Sequence, residues 1–158
     1  ASSGVASELA ALPGRPTRIA FYAAIAALVL AGLWFRRRAA GGYVVSALSV
    51  LAFVVSIAAI ISFISLYIYE LPTHHCPFCI LQREYYFIGY PMYALLFVGV
   101  IAGLGLGLLY HRRHTPSLRS VLPPLARRLS LVAVASFVAF AAIATYVMWA
   151  TPFRLEGY

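Results

Sequence analysis

Charged residues are scarce in this chain of 158 residues, which has no lysine, no aspartate and only four glutamates. Only 10% of the residues are charged and 63% are hydrophobic, a balance that excludes an ordinary soluble domain. No ionisable residue falls in the middle of a long apolar segment, so the buried charges that proton pumps and ion-coupled carriers use are absent. The sequence therefore predicts an all-α integral membrane protein whose chemistry lies at the rim of the bilayer.

All twelve basic residues are arginines, and they cluster beside the apolar segments. Control of membrane topology explains arginines in these positions, so the net charge of +8 does not indicate a nucleic-acid partner. Three arginines follow the first apolar segment and five lie between the third and the fourth, whereas all other parts of the chain carry four. The positive-inside rule then predicts a multi-pass protein of a plasma (inner) membrane, with both termini on the outer side.

Four apolar segments are long enough to cross the lipid bilayer, and they predict a bundle of four transmembrane helices. The predicted helices cover about 19–35, 43–69, 77–110 and 129–150 within a transmembrane domain of residues 18–150, after an exposed arm (1–17) and before a short external tail (151–158). Pro91 is expected to bend the third helix near its outer boundary. Gly99, Gly103 and Gly107 recur every four residues, which predicts a helix face on which a neighbour packs closely.

The N-terminus of the chain is unusual for a membrane protein with this topology. The sequence does not begin with methionine, and no signal peptide precedes the predicted external N-terminus. We therefore expect that an upstream segment was removed or that the sequence is part of a longer protein. The first predicted helix is alternatively an uncleaved signal anchor.

The only two cysteines, Cys76 and Cys79, form a CxxC motif between the second and third apolar segments, on the predicted outer side. Pro77 is a residue favoured at the first position of a helix, which predicts that Cys76 is the N-cap of the third helix. Cys79 and Arg83 would then share one helix face with Cys76. The positive end of the helix would lower the pKa of Cys76, making it the attacking thiol and Cys79 the resolving one.

The same motif fits two other kinds of site. His74 and His75 directly precede Cys76, and a His-His-Cys-x-x-Cys sequence can bind a soft metal ion such as copper, zinc or mercury. Two cysteines can also pack as small hydrophobic residues without any chemical role. The spacing alone leaves the redox, metal-binding and structural interpretations open.

Residues 76–83, Cys-Pro-Phe-Cys-Ile-Leu-Gln-Arg, resemble the C-x-x-C-x-x-x-R at the outer start of a transmembrane helix in the DsbB family of bacterial disulfide-forming membrane proteins. The vitamin K epoxide reductase family is similar in placing a CxxC at a helix end beside a quinone. Those four-helix bundles pass electrons from a thioredoxin-like protein to a quinone. The resemblance implies that Cys76 and Cys79 are catalytic and that Arg83 binds a quinone cofactor. The further quinone-binding candidates are Tyr86, Phe87 and Tyr90.

The chain differs from those families in two respects. It has one cysteine pair, whereas they carry a second pair on a longer external loop, and its CxxC precedes the third predicted helix instead of the second. We predict a membrane thiol-disulfide oxidoreductase or redox subunit that exchanges electrons between a periplasmic thioredoxin-like dithiol protein and quinone. The alternatives are a protein that handles soft metal ions and a structural subunit of a larger membrane complex.

Overall fold

The computed structural model describes residues 4–71 and 73–152. Regular structure in this part of the chain is entirely helical, and short 3-10 turns occur in the connections. The α-helices are α1 (Val5–Ala10), α2 (Gly14–Arg38), α3 (Gly42–Tyr69), α4 (Gly89–His111) and α5 (Leu122–Ala150). Helices α2 to α5 are long and apolar enough to cross a membrane. The predicted all-α bundle of four transmembrane helices is confirmed, and the chain is a multi-pass membrane protein.

The four spanning helices form a ring in which α2 contacts α3, α3 contacts α4, α4 contacts α5, and α5 returns to α2. At one end, called the arginine end, α2 and α4 finish, and the Tyr43 hydroxyl lies 3.1 Å from His111 Nδ1. At the opposite end, called the CxxC end, α3 finishes and α4 begins, and the hydroxyl oxygens of Tyr22 and Thr145 are 2.6 Å apart. The arginine clusters and the thiols are therefore at opposite ends of the bundle.

Glycines in α4 allow close packing against both of its neighbours. A Cβ atom at Gly103 or Gly107 would overlap the side chains of Ser49 or Ser46 in α3. A Cβ atom at Gly99 would lie 2.9 Å from the ring of Phe137 in α5. The predicted glycine face is confirmed, and it serves two neighbouring helices instead of one.

Aromatic side chains fill the core towards the CxxC end. The fully buried ring of Phe21 in α2 meets Phe63 of α3 and Phe140 of α5 edge to face, with ring centroids 6.1 Å and 5.9 Å apart. Edge-to-face pairs at these distances are favourable. This cluster fixes three helices directly beneath the loop that carries the cysteines.

Three predicted helix boundaries are wrong: both ends of the first predicted helix and the start of the fourth, each in a polar part of the sequence. The predicted exposed arm contains α1 and the first turn of α2, which begins at Gly14 instead of residue 19 and continues to Arg38. Helix α5 begins at Leu122 instead of residue 129, because Pro123 is tolerated in the first turn of a helix, where its missing N–H has no helical acceptor. Hydropathy marks the apolar part of a helix and misses turns that extend beyond it. Of the predicted tail, residues 153–158 lie outside the described part.

The largest correction concerns the third predicted helix, which begins at Gly89 instead of residue 77. Residues 79–81 and 83–85 form separate 3-10 turns, with Gln82 extended between them. Tyr86 and Phe87 then adopt left-handed backbone conformations, with φ of 54° and 55°, which a right-handed helix cannot include. Pro91 is the third residue of α4, so it lies in the first turn and does not bend the helix as predicted.

Candidate functional site

The CxxC motif lies in the loop between α3 and α4 and not at the start of a long helix. Cys76 precedes a three-residue 3-10 turn that begins at Cys79, and Arg83 belongs to a second such turn. The predicted helix face shared by Cys76, Cys79 and Arg83 is therefore wrong. A single 3-10 turn also aligns too few peptide dipoles to act on Cys76 as a long helix would.

Two tyrosines fix the backbone of the motif between the ends of α3 and α4. The Tyr69 hydroxyl, at the end of α3, donates a hydrogen bond to the Cys76 carbonyl. The Tyr93 hydroxyl, in the second turn of α4, donates to the Pro77 carbonyl at 2.7 Å. Ile80 is fully buried and anchors the following turn in the core. The cysteines are thus presented on a loop held from both sides.

A third anchor joins His75 to an irregular turn of α3. Residues Ile60–Ile64 form a π-helical turn, a feature that is frequent at functional sites. His75 Nδ1 lies 3.0 Å from the Ile61 carbonyl oxygen. A carbonyl can only accept a hydrogen bond, so Nδ1 carries the proton in this contact. His75 therefore orients the loop, and one of its ring nitrogens is used for that purpose.

His74 and the two thiols form a compact cluster. One ligand atom from each of His74, Cys76 and Cys79 lies within 4.8 Å of the others, and all three side chains are partly buried. Both cysteines are reduced, and His74 Nε2 lies 3.3 Å from Cys79 Sγ. The His74 ring packs edge to face on Tyr69, with centroids 4.8 Å apart. The predicted metal ligands are thus brought together except for His75, which is not part of the cluster because it is held by α3.

The two thiols differ in acidity. A hydrogen bond from the Cys79 thiol, with further hydrogen bonds from the backbone N–H groups of Phe78 and Cys79, lowers the pKa of Cys76 below that of an ordinary thiol. The same hydrogen bond to Cys76, together with burial, raises the pKa of Cys79. The sequence predicted this order, with Cys76 the better thiolate. Its cause is local hydrogen bonding and not a helix terminus.

An apolar groove of about 720 Å³ lies beside the motif, between α3 and α4. Its walls are formed by Ile57 and Ile61 of α3, by Pro77, Phe78 and Leu81 of the loop, and by Tyr90, Tyr93, Ala94 and Phe97 of α4. The two residues between the cysteines are therefore part of the groove, and Phe78 is 71% exposed. A ligand that fills this groove contacts the two residues that separate the cysteines.

Only one of the four candidate quinone-binding residues lies in the wall of this groove. Tyr90 lines the groove, whereas Arg83, Tyr86 and Phe87 do not. Tyr86 is 93% exposed, and Arg83 is exposed on the second 3-10 turn. The roles of Arg83, Tyr86 and Phe87 in quinone binding stay predictions. Sequence reasoning missed Phe78, although its position between the cysteines was an available indication.

Sequence reasoning also missed the position of Arg18, which belongs to α2 and is partly buried at the CxxC end. Its Nη2 donates a hydrogen bond to the Tyr67 hydroxyl at 3.0 Å, and its guanidinium carbon lies 5.8 Å from the ring centroids of Phe63 and Tyr67. Its Nε is buried without a hydrogen-bond partner. Arg18 lies between the predicted arm (1–17) and the first predicted helix (about 19–35), so hydropathy did not include it in a helix.

Comparisons with protein-family models, with curated proteins and with solved structures find no match to this chain. A functional assignment therefore depends on the geometry of the thiol cluster and of the groove beside it.

Proposed function

We propose that the protein is a membrane thiol-disulfide oxidoreductase that passes electrons from an external dithiol protein to a quinone. The carrying observation is that Pro77 and Phe78, which separate Cys76 from Cys79, also form part of an apolar groove between two spanning helices. A planar apolar carrier dissolved in the bilayer can enter such a groove laterally. The exposed side of the same loop is available to a water-soluble partner.

The proposed reaction is two thiol-disulfide exchanges followed by a two-electron oxidation. A partner thiolate attacks Cys76 Sγ of the Cys76–Cys79 disulfide, forming a mixed disulfide and releasing Cys79 as the thiolate. The second partner thiolate attacks the partner sulfur of the mixed disulfide, which leaves an oxidised partner and a reduced cysteine pair. The pair then gives two electrons and two protons to the quinone. This step forms hydroquinone and restores the disulfide.

His74 is the residue placed to handle the proton of Cys79. Its Nε2 is 3.3 Å from Cys79 Sγ, within hydrogen-bonding reach for sulfur. Because the pKa of Cys79 is raised, this thiol needs a proton acceptor before its sulfur can act as a nucleophile. The unprotonated nitrogen of a neutral imidazole can accept this proton.

The proposed orientation places the CxxC end outside the cell, where disulfides persist. It is supported by the arginine clusters at the opposite end, which the positive-inside rule assigns to the cytoplasm. A membrane-impermeant maleimide applied to intact, mildly reduced cells should label Cys76. Labelling only after lysis would reverse the orientation and remove the external partner.

Reconstitution in liposomes tests the reaction directly. Reduced wild-type protein with a quinone in the bilayer should produce hydroquinone, followed by absorbance, while Cys76→Ser and Cys79→Ser should not. With the oxidised form of a soluble dithiol protein, whose disulfide the Cys76 thiolate can attack, Cys79→Ser should accumulate a mixed disulfide at Cys76. If the mixed disulfide accumulates only in Cys76→Ser, the roles of the two cysteines are exchanged. If the wild-type protein forms no hydroquinone, the proposed function is rejected.

Soft-metal binding is the second candidate, favoured by the cluster of His74, Cys76 and Cys79. Three such ligands with an open fourth position suit zinc or copper. Titration with Zn²⁺ distinguishes the histidines: His74→Ala should abolish stoichiometric binding by the reduced protein, and the matched His75→Ala variant should retain it. Disulfide formation consumes both sulfur ligands, so bound Zn²⁺ should also inhibit quinone reduction. Failure of the reduced wild type to bind Zn²⁺ would exclude this candidate.

A further inference from the structure

A second cavity lies at the arginine end, far from the thiols along the chain. It has a volume of about 340 Å³ and lies where α2 and α4 finish and α5 begins. Its lining includes the cationic side chains of Arg113, Arg119 and Arg127 and the apolar side chains of Phe35, Leu109 and Leu122. The cavity thus has three arginines, all of them exposed, beside a largely apolar lining.

Within the part of the chain that the structure describes, no acidic residue forms an ion pair with these arginines. The four acids are Glu8, Glu70, Glu84 and Glu156. Glu8 belongs to α1, which contacts the π-helical turn at the CxxC end, and Glu70 and Glu84 belong to the loop between α3 and α4. Glu156 lies outside the described residues. Three like charges around one cavity repel each other unless an anion lies between them.

One of the three guanidinium groups is held in place by its neighbours. The guanidinium carbon of Arg113 stacks 4.3 Å from the centroid of the Tyr110 ring, and its Nε donates to His114 Nε2 at 3.1 Å. These contacts occupy one face and one N–H of the group, so its other N–H donors stay available to a ligand. A positioned guanidinium loses less entropy on binding than a free one.

The chemistry of the lining selects a phosphate that carries hydrocarbon. Guanidinium groups recognise phosphate oxygens with paired hydrogen bonds, and the α5 dipole adds positive potential at Leu122. Pro123 and Pro124 remove two N–H groups from the first turn of α5. The arginines, and not the helix backbone, are therefore the main donors. The apolar wall favours a lipid over a free anion, because a free anion leaves that wall uncovered.

We propose that this cavity binds the headgroup of an anionic phospholipid. Arg113, Arg119 and Arg127 hold the phosphate, and the more accessible Leu109 and Pro123 pack against the first carbons of the acyl chains. The volume lies within the range of ligand pockets, about 300–1,000 Å³. Basic pockets between spanning helices at the cytoplasmic side are suited to anionic headgroups. A bound lipid would join α2, α4 and α5.

Binding of phosphatidylglycerol to the purified, full-length protein in neutral detergent tests this proposal. Native mass spectrometry should show wild-type affinity for phosphatidylglycerol at least about tenfold above that for phosphatidylcholine. The triple variant Arg113→Gln, Arg119→Gln and Arg127→Gln should lose this preference. The matched control, with Arg36→Gln, Arg112→Gln and Arg128→Gln, removes the same charge from the same end outside the cavity and should keep it.

Three results would overturn the proposal. Equal loss of the preference in both triple variants would assign it to general surface charge. Competition by millimolar inorganic phosphate that displaces phosphatidylglycerol completely would assign the cavity to small anions. If the triple variant does not fold, the single Arg119→Gln variant decides: a folded protein with unchanged preference for phosphatidylglycerol refutes the site.

Discussion

The groove beside the CxxC motif predicts that Phe78→Leu weakens quinone binding without changing the chemistry of the thiols. Phe78 is 71% exposed, so most of its ring is available to a ligand in the groove. For a ligand that arrives from aqueous solution, the removal of apolar surface from water would be the largest contribution to the binding free energy. A quinone arrives from the bilayer, which is as apolar as the side chains, so this term nearly vanishes.

The substitution by leucine removes the stacking interaction between the Phe78 ring and the quinone ring, which is worth about 0.5–1.5 kcal/mol. At about 1.36 kcal/mol for each factor of ten, this corresponds to a rise in KM for quinone of about 2-fold to 13-fold. The kcat value should not change, because the N–H of residue 78 that bonds Cys76 belongs to the backbone.

Hydroquinone formation in liposomes of defined quinone content measures both constants. The matched control is Trp149→Leu, which replaces a more exposed aromatic ring at the same end of the bundle that does not line the groove. Its KM should equal that of the wild type. An unchanged KM in Phe78→Leu, or equal increases in both variants, would refute the assignment of the groove as the quinone site.

Three further predictions concern charge, acidity and packing. Arg83 does not line the groove, and its role follows only from the resemblance: if it donates to a bound quinone, Arg83→Ala should slow quinone reduction at least about tenfold; a rate equal to that of the wild type removes this residue from the site. The pH midpoint of Cys76 alkylation should lie below that of an ordinary thiol and rise in Cys79→Ala, which removes the hydrogen bond to the thiolate; a fixed midpoint contradicts that bond. Gly103→Ala should destabilise the protein by about 1–3 kcal/mol through overlap with α3. Gly105→Ala, whose added methyl meets only one atom at 3.5 Å, should be neutral in thermal unfolding, and equal midpoints would refute the packing argument.

The spanning helices and their packing face were predictable because the physics that produces them is local and periodic. A bilayer requires long apolar segments, and these are visible in the sequence without knowledge of contacts. Glycines at every fourth position of α4 lie on one side of any helix, so their close approach to a neighbour follows from spacing alone. The identity of the second neighbour, α5 at Gly99, required the structure.

The conformation of the CxxC loop could not be predicted because its residues favour the helix that the structure lacks there. Pro77 followed by an apolar segment indicates a helix start. A helix from Pro77 is excluded instead by Tyr86 and Phe87, which adopt left-handed backbone conformations. Aromatic residues rarely adopt this conformation, so the sequence does not indicate it. The hydrogen bonds that hold the observed loop conformation join residues far apart in the sequence: the Tyr93 hydroxyl donates to the Pro77 carbonyl, and His75 Nδ1 donates to the Ile61 carbonyl of α3. Such contacts are absent from any local pattern.

The dry interior of the bundle limits how the proposed reaction can be supplied. The sequence has no Asp, Glu, Lys, Arg or His in the middle of any spanning segment to carry protons between the thiols and the arginine end. Arg18, at the start of α2, is held at the CxxC end by its hydrogen bond to Tyr67. In the proposed reaction, the two thiol protons would therefore leave through His74 or the groove, at the rim where electrons enter. The dithiol partner and the quinone would then reach one loop from two directions, the partner from water and the quinone from the bilayer between α3 and α4.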